Sequence, residues 1–302
     1  MSTTQAELDL VSVAEEPGYQ RPISLFRAVM RTAEGRIGLG LAVFMLLLIS
    51  VGRLAAPFSP TAINVGPPIA GPSMAHLLGT DDLGRDVLSR FLYGGDTVLL
   101  VPLAAVTLAL VIGGFLGLLA AYRGGWVDRL VARVFDVFLV IPALLLALVL
   151  VAGLGTSVVV IVLTVTVVYV PRLGRIVRGA AGRIAVQDFI VAAELRGESS
   201  RWVVVREILP NVAGPVLSAY ALYVTYGIIF VVTLSYLGLG AQPPSSDWGL
   251  MVSDSQAFIS FNPWATVAPA LGIAAMSVAF TLVADAANRQ LARGNDRVGT
   301  GV

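Results

Sequence analysis

Long apolar runs alternate with short polar stretches along this chain, and the runs are as long as a bilayer crossing. No Asp, Glu, Lys or Arg occurs from 97 to 122, from 137 to 171, from 208 to 246 or from 255 to 284. About 20 apolar residues carry a helix across the hydrocarbon layer. The pattern predicts an all-α polytopic membrane protein with six transmembrane helices. They are expected at about 37–56, 97–121, 131–152, 156–173, 213–238 and 264–286. The run 137–171 is too long for one crossing, and GLGTS at 153–157 supplies the turn that divides it.

Composition agrees. The chain is 57% apolar and 13% charged, against about 25% charged in soluble domains. It has no cysteine and one histidine, His76, which excludes disulfides, thiolate chemistry and a Cys/His metal cluster. All 20 basic residues are arginine. A P-loop needs a lysine on the nucleotide phosphates, so a conventional ATP site of that kind is excluded. No G-x-S-x-G elbow accompanies His76, and no catalytic or metal-binding set is expected.

Charge distribution gives an orientation. With the N-terminus inside, 17 of the 20 arginines fall on cytoplasmic segments, and only Arg53, Arg85 and Arg90 lie outside. Both termini are then cytoplasmic. Residues 1–36 read as an attached cytoplasmic arm, with 22–36 as a basic amphipathic helix on the membrane surface. Residues 57–96 form a long outer loop, 97–290 a five-helix core, and 291–302 a cytoplasmic tail. Arg53 sits near the outer end of the first span, where its guanidinium can snorkel to the interface.

One polar interlude stands out on the cytoplasmic side. Residues 188–211 read DFIVAAELRGESSRWVVVREILPN. The stretch 188–197 has helix-forming residues, Gly197 offers a left-handed stop, and a second short helix over about 200–208 is expected to end before Pro210. Phe189, Ile190, Leu195, Trp202 and Val203 to Val205 put apolar surface on this helical elbow. Apolar surface rimmed by charge marks a protein interface; a solvated loop obeying the positive-inside rule is the alternative.

The elbow resembles the EAA loop of ABC importer permeases, whose pattern is E-A-A, three residues, Gly, and Leu-Pro after a fixed interval. Val191, Ala192, Ala193, Gly197, Leu209 and Pro210 occupy those positions, with Val191 in place of the usual Glu and Glu194 one turn along. GTDDLGRDVLSR at 79–90, SYLGLGAQPPSSDWGLM at 235–251 and REILPN at 206–211 resemble segments of the dipeptide/oligopeptide/nickel permeases. Two places depart from that group: Asp96 stands where a basic residue is common, and VADAANRQLAR at 283–293 is a loose form of the usual ending.

The resemblance implies the transmembrane domain of a type I (MetI-like) ABC importer in a bacterial plasma membrane. It implies a second homologous permease, two ABC ATPases that bind ATP and Mg, an extracytoplasmic solute-binding protein, and no nucleic acid. The implied cargo is a di- or oligopeptide; nickel chelate, haem or another small solute is the alternative within the same machine. Val191, Ala192, Ala193, Glu194, Arg196, Gly197, Leu209 and Pro210 are the implied ATPase-coupling residues. Asp81, Asp82, Arg85, Asp86, Asp247 and Trp248 are the candidate docking residues for the binding protein. An ion-coupled secondary transporter is a different class; it needs mid-span carboxylates, which the apolar runs lack.

Other features keep two readings each. Tyr220, Tyr223 and Tyr226 recur every three residues on the fifth span, with Phe230 one turn on. They line a translocation path or pack between helices. Gly113, Gly114 and Gly117 let helices approach closely or supply a hinge. His76 reads as a solvated surface histidine, or as a contact for a metal or haem-like cargo or a pH sensor.

Overall fold

The computed structural model describes residues 29–30 and 32–299, by backbone alone from 290 onward. The expected surface helix over 22–36 and most of the arm 1–36 lie outside the described residues, as does the end of the tail. Among the described residues the fold is helical, and the sole strand pairing is an isolated antiparallel bridge between Thr80 and Asp86.

The first span, α1 (Ala33–Val51), starts where the Thr32 side chain accepts from the Gly35 N–H. It ends in a 3-10 turn, Gly52–Ala55. A short helix α2 (Val87–Tyr93) leads into α3 (Gly95–Arg123). Then follow α4 (Gly125–Val140), α5 (Ala143–Leu154) and α6 (Val158–Ala185). The elbow is α7 (Asp188–Leu195), α8 (Ser200–Trp202) and a π-helical stretch, Val203–Ile208, running into α9 (Leu209–Tyr236). The outer helix α10 (Trp248–Ser255) precedes the last span, α11 (Trp264–Gly299).

Five helical stretches are long and apolar enough to cross a membrane, and six if a bent pair counts as one. That pair corrects the third expected span. Residues 131–152 are not one helix: α4 and α5 meet at 87°. The break falls at Ile141, whose extended backbone (φ −74°, ψ 125°) is what a residue before proline adopts. Alone, the 12 residues of α5 span only about 18 Å. The fourth span also departs from expectation. Helix α6 runs to Ala185 rather than ending near 173, so Arg172 and Arg175 lie within it.

The centre of the fold is the contact between α3 and α6. A Cβ on Gly113 would meet the Val170 carbonyl oxygen at 2.4 Å, and one on Gly117 the Gly174 carbonyl oxygen at 2.5 Å. Both positions therefore require glycine, whereas a Cβ on Gly114 would find only ordinary contacts at 3.8 Å. On the facing side, Gly174 lets the Phe135 ring of α4 lie directly on the helix backbone. Arg178 grips Asp128 with Nε and Nη2, and Arg175 pairs with Asp136, tying α4 to α6. Arg289 joins Glu34 at 2.9 Å between the last and first spans. Arg53, near the outer end of the first span, is paired with Asp96 and lies over the Tyr93 ring.

Candidate functional site

At the elbow, α7 ends in a full Schellman motif. The Glu198 N–H donates to the Ala193 carbonyl at 3.2 Å and the Gly197 N–H to the Glu194 carbonyl at 2.9 Å. This closure requires a left-handed residue, and Gly197 has φ +82°. Ser199 then caps α8 by accepting from the Trp202 N–H.

The chain does not stop before Pro210, as the sequence suggests. It continues as one helix into α9, and the correction has a physical cause. Inside a helix, Pro210 lacks the N–H that would bond back into the preceding turn, and its ring crowds that turn's carbonyl. The π-helical stretch at 203–208 re-spaces the hydrogen bonds just ahead of it. The second arm of the elbow is therefore the rigid end of a membrane span.

Ile190, Ala193, Val203 and Ile208 are buried together with Ala180 and Ala181 of α6 and Val212 of α9. The two alanines divide their work: Ala193 faces inward at 0% exposure, while Ala192 is exposed. Val191, Leu195, Phe189, Val205 and Leu209 present apolar surface outward, Leu195 at 83% exposure. Glu194, Arg196, Arg201, Arg206, Gly197 and Pro210 are exposed among them. Val191, at the family's Glu position, thus adds to an apolar outer face. Ile190 and Val203, expected as apolar surface of the elbow, are instead buried with Ile208 as its seat; the break at Gly197 puts them on separate helices, so no single helix period signals the seat.

On the outer side the docking candidates form a buried ionic cluster. Asp81 Oδ2 accepts from Arg85 Nε at 2.6 Å and Arg90 Nη1 at 2.5 Å. Its Oδ1 accepts from the Leu83 and Arg85 backbone N–H groups. Asp86 caps α2 through Ser89 and meets His76 Nδ1 at 2.9 Å. His76 is 7% exposed and stacks on Phe58, so the solvated surface histidine is corrected. The reason is its carboxylate partner, ten residues on.

Asp247 caps α10 and accepts from Thr97. Trp248, wholly buried, stacks on Phe91 and donates to its carbonyl. Arg90 reaches the Ser245 carbonyl, and Asn262 donates to the Leu78 and Thr80 carbonyls, welding the outer loops together. Burial pushes the neighbouring Asp254 carboxyl above the usual carboxylate range, partly opposed by Arg90. Of the six docking candidates, Asp82 alone keeps substantial exposure, at 37% of its side chain. The other five are the frame of the outer layer, and the exposed rim beside them is apolar: Met74, Leu77 and Leu83.

The fifth-span tyrosines have different partners. Tyr220 hydrogen-bonds Thr107 of α3 at 2.8 Å. Tyr223 stands edge-on to Tyr226 and to Tyr169 of α6, and Phe230 also meets Tyr169. Tyr226 is 48% exposed. The described residues hold no group of three or more His, Cys, Asp or Glu placed to bind a metal.

Residues 113–297 match the family described as binding-protein-dependent transport system inner membrane component. The chain is 36% identical over 252 residues to the dipeptide transport system permease protein DppC of Alkalihalophilus pseudofirmus, covering 81% of this chain and 83% of that one. It is 34% identical over 215 residues to the glutathione transport system permease protein GsiD of Pectobacterium atrosepticum, covering 71% of each. In fold it is similar to a chain of the MetNI methionine ABC transporter in inward-facing conformations, with TM-score 0.56, 16% identity, 67% of this chain and 96% of that chain covered. Helical spans, elbow and these likenesses together place the chain in the binding-protein-dependent transport system inner membrane component family, among the dipeptide/oligopeptide ABC importer permeases.

Proposed function

We propose that this chain is one of two permease subunits of a bacterial plasma-membrane importer that takes up short peptides, with both termini in the cytoplasm. The free energy comes from two separate ATPases, which hold the ATP and Mg. The observation that carries the reading is the elbow: an apolar outer face seated on a buried core that is continuous with a membrane span. A groove closing on Val191, Ala192, Leu195 and Leu209 moves α7 and the start of α9 as one body. The tilt of α9 then changes which side of the membrane the cavity opens to, a population shift driven by differential contact. Glu194, Arg196 and Arg206 set register on the ATPase surface, each exposed pair contributing only about 0–1 kcal/mol. Gly197 fixes the bend, and Ala193 and Pro210 fix how the two arms join.

On the outer face, the exposed rim around Asp82 receives the solute-binding protein, while Asp81, Arg85, Asp86, Asp247 and Trp248 keep that rim in shape. Dipeptide and glutathione permeases among the relatives support a peptide cargo. The test is reconstitution in proteoliposomes with the second permease, both ATPases and the binding protein. Peptide uptake that needs ATP and binding protein is the expected result. Uptake that follows an ion gradient without ATP overturns it.

A further inference from the structure

Arg172 lies at the middle of α6 without a carboxylate beside it. It is 14 residues from Val158 and 13 from Ala185, the midpoint of α6. At 1.5 Å per residue, that is about 20 Å from either end. Tyr223 is equally central on α9, 14 residues from Leu209 and 13 from Tyr236. The two midpoints meet, because Tyr169, one turn from Arg172, contacts Tyr223 edge-on at 5.5 Å.

Four arginines on or beside the spans have acidic partners, Arg53 with Asp96, Arg175 with Asp136, Arg178 with Asp128 and Arg289 with Glu34, while Arg36, Arg123, Arg129, Arg133 and Arg183, at or towards helix ends, pair with no described carboxylate. Among the described residues Arg172 has none. Its Nη1 donates to the Val168 carbonyl of its own helix, and the guanidinium lies 5.8 Å from the Tyr169 ring centroid. These contacts leave most of its five donors unused. Nor do the hydroxyls of Tyr169, Tyr223 and Tyr226 bond to any described residue, whereas those of Tyr220 and Tyr236 do. A cation and three phenol donors do not face lipid chains stably; on a spanning helix such groups face a water-filled path or a protein partner.

We infer that Arg172, with the hydroxyls of Tyr169, Tyr223 and Tyr226, forms a way-station in the translocation path that holds the carboxylate of the cargo. Guanidinium and phenol are both donors matched to carboxylate oxygens, and charge-assisted bonds of this kind are the strong ones. The apolar ring edges and Phe230 beside them suit a peptide side chain without selecting one. This assignment rests on the peptide-importer reading and adds the cargo group that the permease itself reads.

The chain has no cysteine, so a single thiol introduced as Tyr226→Cys reports on this face. The intact complex in nanodiscs is treated with anionic and cationic methanethiosulfonates, and labelling is read on this chain. The expected result is that the anionic reagent reacts about ten-fold faster than the cationic one, and that adding Arg172→Gln abolishes the preference. Dialanine slows labelling and dialanine amide does not. Phe230→Cys, one turn away, serves as the second reporter where Tyr226→Cys fails to assemble.

Three results overturn the site: no labelling by either reagent, a charge preference indifferent to Arg172, or equal protection by acid and amide. The first shows that water-borne reagents do not reach this face, so cargo in water does not reach it either. ATP-driven uptake by the unsubstituted complex is read in parallel. Its absence sinks the importer reading, while its presence without the labelling pattern sinks this site alone.

Discussion

Replacing Asp81 by Asn tests whether the outer layer is held by its ionic core. Asp81 accepts four hydrogen bonds, two from backbone N–H groups and two from guanidinium groups at 2.5 and 2.6 Å. The Arg85 and Arg90 side chains are only 5% and 1% exposed. An amide in place of the carboxylate removes the sole negative charge within bonding distance of Arg90 and leaves two positive charges buried together. Breaking a buried pair from one side costs about 3–5 kcal/mol. Asp136→Asn is the internal control. It removes an ion pair whose partners are 55% and 51% exposed, and pairs of that kind contribute about 0–1 kcal/mol.

Unfolding by SDS titration in mixed micelles measures both variants. Asp81→Asn should fall well below the control, and protease should then cut within 57–86. Substituting Asp81, Arg85 and Arg90 together by Leu or Met should recover most of the loss, since the desolvation cost leaves with the charges. A loss from Asp81→Asn no larger than that from Asp136→Asn would refute the reasoning.

Gly197→Pro and Ala193→Trp should each abolish ATP-driven uptake while leaving membrane insertion intact, the first by denying the left-handed closure, the second by unseating α7 from a fully buried position. Uptake unchanged in either would count against the elbow as a lever. In α3, Gly113→Ala should destabilise by about 1–3 kcal/mol through overpacking, and Gly114→Ala should be neutral or stabilising by up to about 1 kcal/mol, in the same micelle titration. The raised carboxyl of Asp254 gives a sign for pH. The folded chain keeps this proton more tightly than the unfolded one, so the contribution is full below the ordinary carboxylate pKa and is lost as pH rises through the raised value. Asp254→Asn should remove that part of the pH dependence of stability; an identical pH profile in the variant would discount it.

Much of this architecture was legible because bilayer physics is strict. Charge-free runs marked the spans, and Gly197 with the Leu209-Pro210 interval marked the elbow. The missed features share a cause: each depends on a partner distant in sequence or on local hydrogen bonding. Ile141-Pro142 carried a bend signal, but 137–154 reads as one apolar run. Arg172 looked like the first residue of a cytoplasmic loop because the charge-free run ends just before it, yet α6 continues for 13 residues more. For Asp81, Arg85 and Arg90, charges of both signs in a loop pointed to turn caps, internal ion pairs and a docking face, and the ion pairs are present, but their burial was not legible. The segments that cover them are more than 150 positions away: Ser245 accepts from Arg90, and Asn262 holds the Leu78 and Thr80 carbonyls just before Asp81. Asp96, a departure from the family pattern, is matched by Arg53 across the outer layer.

The account stands on the elbow being held by an ATPase. A single thiol placed by Leu195→Cys, at 83% exposure on the outer face of α7, tests this in the assembled transporter through a short bismaleimide. Cross-linking of this chain to the ATPase subunit, with efficiency that changes when ATP is added, is the predicted result. An active transporter in which that position captures no ATPase, with or without nucleotide, would contradict it.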